Sequence, residues 1–186
     1  MPDLQQLPDS YRRCRLLVDG YNLMHAIGAI QHGDTQSKAL QRGRDRLIEK
    51  IAQRIPSGFR KWVWIVFDSE VAPQNLPDVW QRDGIMVVFS RGWNSADELL
   101  QSIIAAHHSP KQLIVISSDH AVQRKALARA AQAWDSDRWI EAIDAMLENG
   151  TSSDAVETMR DEDLRPDHIS NDDREHWLRE FGFGDQ

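Results

Sequence analysis

Four times in this sequence an apolar run is followed by an aspartate at a turn. Leu16-Leu17-Val18 runs straight into Asp19-Gly20-Tyr21-Asn22. Trp62 through Phe67 ends at Asp68-Ser69. Leu113 through Ile116 is followed by Ser117-Ser118-Asp119. Ile85 through Phe89 leads through Arg91-Gly92-Trp93-Asn94-Ser95 to Asp97. Near-continuous apolar runs of this length mark strands buried on both faces, which occur in parallel sheets. Helical patterns between the runs complete βαβ units, whose right-handed crossovers put helices on both faces. The expected fold is a three-layer α/β/α sandwich around a central parallel sheet. Parallel strands all end at one edge, where open α/β folds place their ligands. The four aspartates, far apart in sequence, are expected to meet there.

The pattern divides the chain into a polar arm over residues 1–13, a body over 14–150 and a tail over 151–186. The arm carries two prolines and is expected to be loose. Within the body, Cys14–Asp19, Lys61–Asp68, Ile85–Ser90 and Gln112–Ser117 read as strands, and Gln132–Trp134 as a short further one. A loop is expected to follow the first strand directly and run through His25 to Asp34, and another between Asp68 and Gly84 around Pro73, Asn75 and Pro77. Helical spacing predicts a helix over Thr35–Ile55 with Leu40, Leu47, Ile48, Ile51 and Ile55 inward. A second should start at Asn94 or Ser95 and run to His107, burying Leu99, Leu100, Ile103 and Ile104. A third, His120–Ala131, is expected to pack Ala126, Leu127 and Ala130. A fourth, Ser136–Leu147, should turn Trp139, Ile140, Ile143 and Leu147 inward. In the tail, Trp177, Leu178 and Phe181 suggest one short amphipathic helix after Ser170-Asn171-Asp172-Asp173.

Charge bears on the choice of partner. The net charge of −7 is unpromising for a nucleic-acid binder until it is divided. Residues 1–150 hold 18 Lys+Arg and 18 Asp+Glu, whereas residues 151–186 hold 4 and 11. The acidic excess therefore belongs to the tail, and with the four rim aspartates counted apart the rest of the body is +4. A polyanionic substrate is compatible with that, and a large basic binding face is not. The single cysteine, Cys14, forms no internal disulfide, no apolar run has membrane-spanning length, and the N-terminus lacks a signal-peptide core. The expected location is cytoplasmic, with no membrane partner.

Four converging carboxylates need compensation. Two unit charges about 5 Å apart repel by roughly 3 kcal/mol at an effective dielectric near 20. Either a cation binds or some of the acids keep a proton. An all-oxygen set favours a hard ion, Mg²⁺ or Mn²⁺, which can bridge phosphate oxygens and activate a water for phosphodiester hydrolysis. Asn22 is placed to assist, by bonding a phosphate or fixing a water. Ser117 or Ser118 can orient a water or an acid, or cap the following helix. Arg91 and Trp93 precede Asp97, where Trp93 can stack a base or anchor the loop. Lys38, Arg42, Arg46, Lys50 and Arg54 step by four along one helix, as a solvated face or a phosphate-contacting flank. His107-His108 reads as a solvated helix end rather than a zinc site.

Val18-Asp19-Gly20-Tyr21-Asn22-Leu23, Val66-Phe67-Asp68, Ser95-Ala96-Asp97-Glu98 and Ser117-Ser118-Asp119 resemble the YacP-like branch of the NYN domains, which are PIN-like nucleases. Gly43-Arg44-Asp45-Arg46-Leu47-Ile48 is similar to that family's first helix, and Ile169-Ser170 through Trp177-Leu178-Arg179 to its terminal helix. The resemblance implies a PIN-like sandwich and a Mg²⁺- or Mn²⁺-dependent endoribonuclease acting on RNA. It implies Asp19, Asp68, Asp97 and Asp119 as the catalytic metal site, with Asn22 assisting. Substrate contacts are then expected from Asn22, Arg91, Trp93, Ser118, Lys38 and Arg42, with single-stranded RNA as partner and the ribosome or another RNA-processing partner beside it. The resemblance is weakest over Ala128–Asp137, where the family's glycines and basic-Ser-Ala stretch are missing.

Two other readings compete. One is a catalytically weak RNA- or ribosome-binding module on the same fold. The other is a different Mg²⁺ enzyme of the phosphohydrolase kind. A haloacid-dehalogenase-type phosphatase needs an Asp-x-Asp pair after the first strand, where this chain has Asp19-Gly20-Tyr21. Dinucleotide binding needs a Gly-x-Gly-x-x-Gly turn there, which is missing.

Overall fold

A computed structural model describes residues 4–30, 37–69, 72–73 and 76–150. The elements are β1 (Leu16–Asp19), α1 (Gly20–Ala26), α2 (Ser37–Arg54), α3 (Ser57–Arg60), β2 (Val63–Phe67), β3 (Val79–Arg82), β4 (Ile85–Phe89), α4 (Ala96–Ala106), β5 (Ile114–Ile116), α5 (His120–Ala128), β6 (Gln132–Trp134) and α6 (Ser136–Gly150). Short 3₁₀ turns cover Leu4–Gln6, Asp9–Arg13 and Pro110–Gln112.

The six strands form one sheet in the order β3-β4-β2-β1-β5-β6, parallel except for β3. Alternation along each strand separates two cores. Leu16, Val18, Val63, Ile65, Phe67, Ile85, Val87, Ile114 and Ile116 pack with the inner faces of α1, α2 and α6. Leu17, Trp64, Val66, Val88 and Val115 face α4, α5 and the Asp9–Arg13 turn. In α2 the buried stripe is Leu40, Leu47, Ile48 and Ile51, continued by Ile55 just past its end, as helical spacing requires; in α4 it is Leu99, Leu100, Ile103 and Ile104. Lys50 and Arg54 of α2 meet Asp144 of α6 at 3.0 and 2.6 Å, which clamps these two helices and holds the Asp144 carboxyl below its ordinary range against the opposing effect of burial.

Chain order and spatial order part at β1. The path moves from β1 through β2 to β4 on one side, then returns to lay β5 and β6 on the other. This reversal opens a crevice at the carboxyl ends of β1 and β5, the position where doubly wound sheets bind ligands.

Several expectations change. The segment after β1 is not a loop: α1 starts at Gly20 directly, because the Asp19 carboxylate accepts the Asn22 backbone N–H and caps it. Gly28, at φ +63°, then closes the turn. The segment before Gly84 is not all loop, since β3 pairs antiparallel with β4 through the Asp83-Gly84 turn. Both turn residues have positive φ (52° and 85°), the signature of a two-residue hairpin. In α5 the buried residues are Val122 and Ala126, whereas Leu127 is 62% exposed. Ala130 lies beyond the helix, in the left-handed region. His107 is buried rather than solvated, and His108 is exposed. The N-terminal arm carries a fully buried Tyr11, edge-on to Trp64. The strand Gln132–Trp134 forms despite the missing glycines, parallel to β5. The tail with Trp177, Leu178 and Phe181 lies outside the described residues, as does the side chain of Leu147. Among the described residues no helix is long and apolar enough to cross a membrane.

Candidate active site

The four aspartates arrive at the carboxyl edge by four routes. Asp19 is the last residue of β1, and Asp68 follows β2 directly. Asp97 lies in the first turn of α4, and Asp119 caps α5 just beyond β5. Ser95 caps α4 through the Glu98 N–H (3.2 Å), and Glu98 reaches back to the Asn94 N–H (3.0 Å). That reciprocal box fixes where α4 begins, and so where Asp97 sits.

Asp19 is buried, only 3% exposed. Its Oδ1 accepts the Asn22 backbone N–H (3.2 Å), and its Oδ2 accepts the Ser117 hydroxyl (3.0 Å) and the Asn22 side-chain amide. Ser117 also receives the Asp119 N–H (3.1 Å) and the Asn22 amide (3.4 Å). One donated and two accepted bonds fill the hydroxyl's capacity. Ser117 thereby ties the ends of β1 and β5 to each other across the crevice. Asp119 Oδ1 accepts the Ala121 and Val122 N–H groups at 2.7 and 2.9 Å. Asp68 Oδ2 accepts the Ala96 N–H at 3.1 Å, which binds the end of β2 to the start of α4. Asp97 accepts no hydrogen bond among the described residues.

The electrostatics show that these acids feel each other. Burial raises the proton affinity of Asp97, and the charges of Asp19, Asp119 and Asp68 raise it further. Burial likewise raises Asp19, against the opposing effect of its three hydrogen bonds, and Asp119 adds to the rise. Behind the rim stands a buried cation. Arg44 of α2 is 2% exposed, lies 5.6 Å from the Phe89 ring centroid, and donates through Nη1 to the Tyr21 hydroxyl at 3.2 Å. Its Nη2 has no hydrogen-bond partner among the described residues. Burial raises the Tyr21 phenol, Arg44 opposes that rise, and the charge of Asp68 adds to it. Gly20 allows this closeness: a Cβ there would stand 2.3 Å from the Phe67 ring. Relieving such a clash costs typically 1–3 kcal/mol.

The donor set suits a hard divalent cation, since it is all oxygen and contains in Asp97 an ionisable group that accepts no hydrogen bond among the described residues. Among the described residues no three His, Cys, Asp or Glu side chains are gathered closely enough to hold an ion as they stand. Uncompensated carboxylates repel, which opposes such gathering.

The other residues singled out from sequence fall in varied places. Asn22 spends its amide on Asp19 and Ser117, and so orients an acid. Ser118 accepts the Ser136 N–H at 3.3 Å and secures α6. Arg91 is held by the Leu76 and Pro73 carbonyls and by Asp78, and stacks on Phe89, which pins the segment before β3. Trp93 is partly buried against the core beneath α4. Lys38 and Arg42 are exposed on α2, whereas Lys50 and Arg54 of the same row are occupied by Asp144. Sequence reasoning did not choose Ser117 over Ser118. Strand alternation offered a clue, because Ser117 continues the buried run of β5. A hollow of about 590 Å³ next to the Asp119 cap also went unforeseen; His120, Gln123, Ala133, Trp134, Asp135 and Arg138 line it. Gln123 anchors that side through the Ser117 carbonyl, at 2.7 Å.

With this geometry in place, comparison with known proteins is informative. The family described as YacP-like NYN domain matches residues 16–181. The crystal structure of a single-site mutant of Rae1 (YacP) from Bacillus subtilis superposes with a TM-score of 0.51 at 27% identity, covering 75% of this chain and 85% of that one. Rae1 (YacP) without that mutation gives a TM-score of 0.49 at 26% identity, over 73% and 78%. No curated protein sequence matches the chain.

Proposed function

Because the chain belongs to the YacP-like NYN domain family, a family of PIN-like, nuclease-type domains, we propose that it is a divalent-metal-dependent endoribonuclease. It hydrolyses RNA phosphodiester bonds at the rim of Asp19, Asp68, Asp97 and Asp119. What supports this reading is that four acids stand at the ends of four elements on one edge of the sheet, where the charges of the other three add to the effect of burial in raising Asp97. A scaffold has no use for that repulsion, whereas a cation site does. Mg²⁺ or Mn²⁺ held by these four carboxylates would neutralise them, offset the phosphodiester's charge and acidify a water.

The chain's own residues do the rest. Asn22 and Ser117 hold the Asp19 carboxylate from both sides and fix its orientation at the crevice. The amides of Ala121 and Val122 hold Asp119 Oδ1, which leaves Oδ2 for other duty. Asp97, with no competing hydrogen bond, is the most available ligand. Trp134 and Arg138 line the hollow beside Asp119, where a base can stack and a phosphate can pair. A single strand fits that hollow better than a duplex, because unstacked bases present their faces to aromatic side chains. Arg91 and Ser118 serve the scaffold.

The test is cleavage of labelled single-stranded RNA in Mn²⁺, Mg²⁺ or EDTA by the wild type and by Asp19→Asn. Metal-dependent internal cleavage is expected, lost at least about 100-fold in the variant. Cleavage that is indifferent to EDTA or to the substitution refutes the proposal. Binding without cleavage in any metal would make the protein an RNA-binding module instead.

A further inference from the structure

The opposite edge of the sheet has the opposite charge. Backbone hydrogen bonds gather its parts: Arg15 N–H to Trp62 O (2.8 Å), Ile114 N–H to Arg15 O (2.8 Å), and His108 N–H to Arg12 O (3.0 Å). Arg129 closes the group through the His107 carbonyl at 3.2 Å. Six cations therefore cluster at this edge, namely Arg12, Arg13, Arg15, Lys61, Lys111 and Arg129, with Asp9 among them and Asp83 further along the edge in the turn before β4. Helix C-termini draw cations, and α4 and α5 both end here. That accounts for Arg129. Lys61 follows the last residue of α3, and Arg12, Arg13 and Lys111 close single 3₁₀ turns too short to carry much of a dipole, so the dipole accounts for little of the rest of the cluster.

A hollow of about 410 Å³ opens within this cluster, lined by Asp9, Ser10, Arg12, Arg13, Trp62 and His108. Its volume is within the range of small-ligand sites, about 300–1,000 Å³. Trp62 is half-exposed, and its backbone carbonyl is fixed by the Arg15 and Leu16 amides. Lys61 stands 5.2 Å from its ring centroid. Arg12 is braced against Tyr11, through a 2.8 Å bond to its hydroxyl and a 5.3 Å approach to its ring. Arg13 is exposed and has no partner among the described residues. An aromatic face beside one braced guanidinium and one unengaged guanidinium is a combination that holds single-stranded nucleic acid, through stacking and phosphate pairing.

We propose that this hollow is a second RNA contact, in which Trp62 stacks one base and Arg12 and Arg13 hold the adjoining phosphate. It rests on the ribonuclease reading, because the strand it binds is the one cut at the acidic rim. Four or five residues of strand, about 15 Å, separate the two edges. An RNA of several nucleotides spans that distance, so the hollow favours longer strands over short ones.

The test is the affinity of a labelled 20-nucleotide single-stranded RNA for the full chain in EDTA, by fluorescence anisotropy across a salt series. Arg13→Glu and Trp62→Ala are each expected to weaken binding about tenfold, the loss of one stacked base or one paired phosphate. Trp62→Phe should retain most of the affinity, which separates ring stacking from packing. Arg13→Glu should also flatten the slope of log K against log salt by about 0.7. Arg124→Glu, the same charge change at an exposed position of α5, should alter affinity less than twofold. Wild-type affinity in both Arg13→Glu and Trp62→Ala overturns the proposal, as does equal weakening by Arg13→Glu and Arg124→Glu. In either case the ribonuclease reading stands if cleavage still depends on Asp19. A wild type that neither binds nor cuts RNA removes that reading, and this one with it.

Discussion

Ser117 shows how much a small side chain decides at this edge. It is fully buried, and its hydroxyl gives its one proton to Asp19 while receiving the Asp119 amide and the Asn22 side chain. An alanine there leaves Asp19 with one bond fewer and the Asp119 backbone amide unpaired. Groups that orient metal ligands typically contribute 10–100-fold to affinity or activity. Ser117→Ala should therefore lose about that much Mn²⁺ affinity, measured by calorimetry, while its circular dichroism stays that of the wild type. Unchanged affinity would show that the Ser117 hydrogen bonds serve only the scaffold. The sequence could name Ser117 and Ser118 as candidates but could not rank them. Both are serines before the same aspartate, and only the end of the β5 pleat turns one inward.

At the scale of elements, the sequence is most legible where a periodic pattern fills a whole element. The stripes of α2 and α4 and the apolar runs of β1, β2, β4 and β5 reappear as buried faces. Legibility drops where one local interaction decides. α1 looks like loop because Gly20 and Asn22 are turn formers, yet the Asp19 cap and the Gly20–Phe67 packing make it a helix. β3 is short and half-buried, and its clearest signal is the Asp83-Gly84 turn that follows it. His107 is a further case. The end of α4 is locked to the approach of β1 by its ring, whose Nδ1 accepts the Ser109 N–H while Nε2 stands 2.7 Å from the Cys14 carbonyl. Those partners require the neutral tautomer with the proton on Nε2. Burial accordingly lowers the His107 pKa below its ordinary 6.5. A His depressed in the folded state stabilises fully above its unfolded pKa, and that contribution is lost as pH falls through the folded value. The urea midpoint of the wild type should drop below about pH 6.5, and His107→Gln should show a shallower drop over the same interval. Parallel pH profiles in the two proteins would rule His107 out as the cause.

Along the strands the aspartate rim stands at the carboxyl edge and a cluster of cations at the amino edge, in a body whose formal charges cancel. That balance conceals a cost. Burial and three neighbouring carboxylates raise Asp97 in the folded state. Such a group stabilises fully below its unfolded pKa and loses that contribution as pH rises through the folded one, so at neutral pH the ionised rim works against folding. Asp97→Asn removes one repelling charge and no hydrogen bond, and should melt above the wild type in EDTA. A bound cation offsets the same repulsion in the wild type. At a hundred times its Kd a ligand adds about 2.7 kcal/mol, or roughly 5–10 °C in a domain of this size. Differential scanning fluorimetry in EDTA and in Mn²⁺ should thus give two crossing responses. The wild type starts lower and rises with metal, and Asp97→Asn starts higher and rises little. If both respond equally, Asp97 is no metal ligand; if neither responds, the rim binds no ion and the four acids owe their meeting to the fold alone.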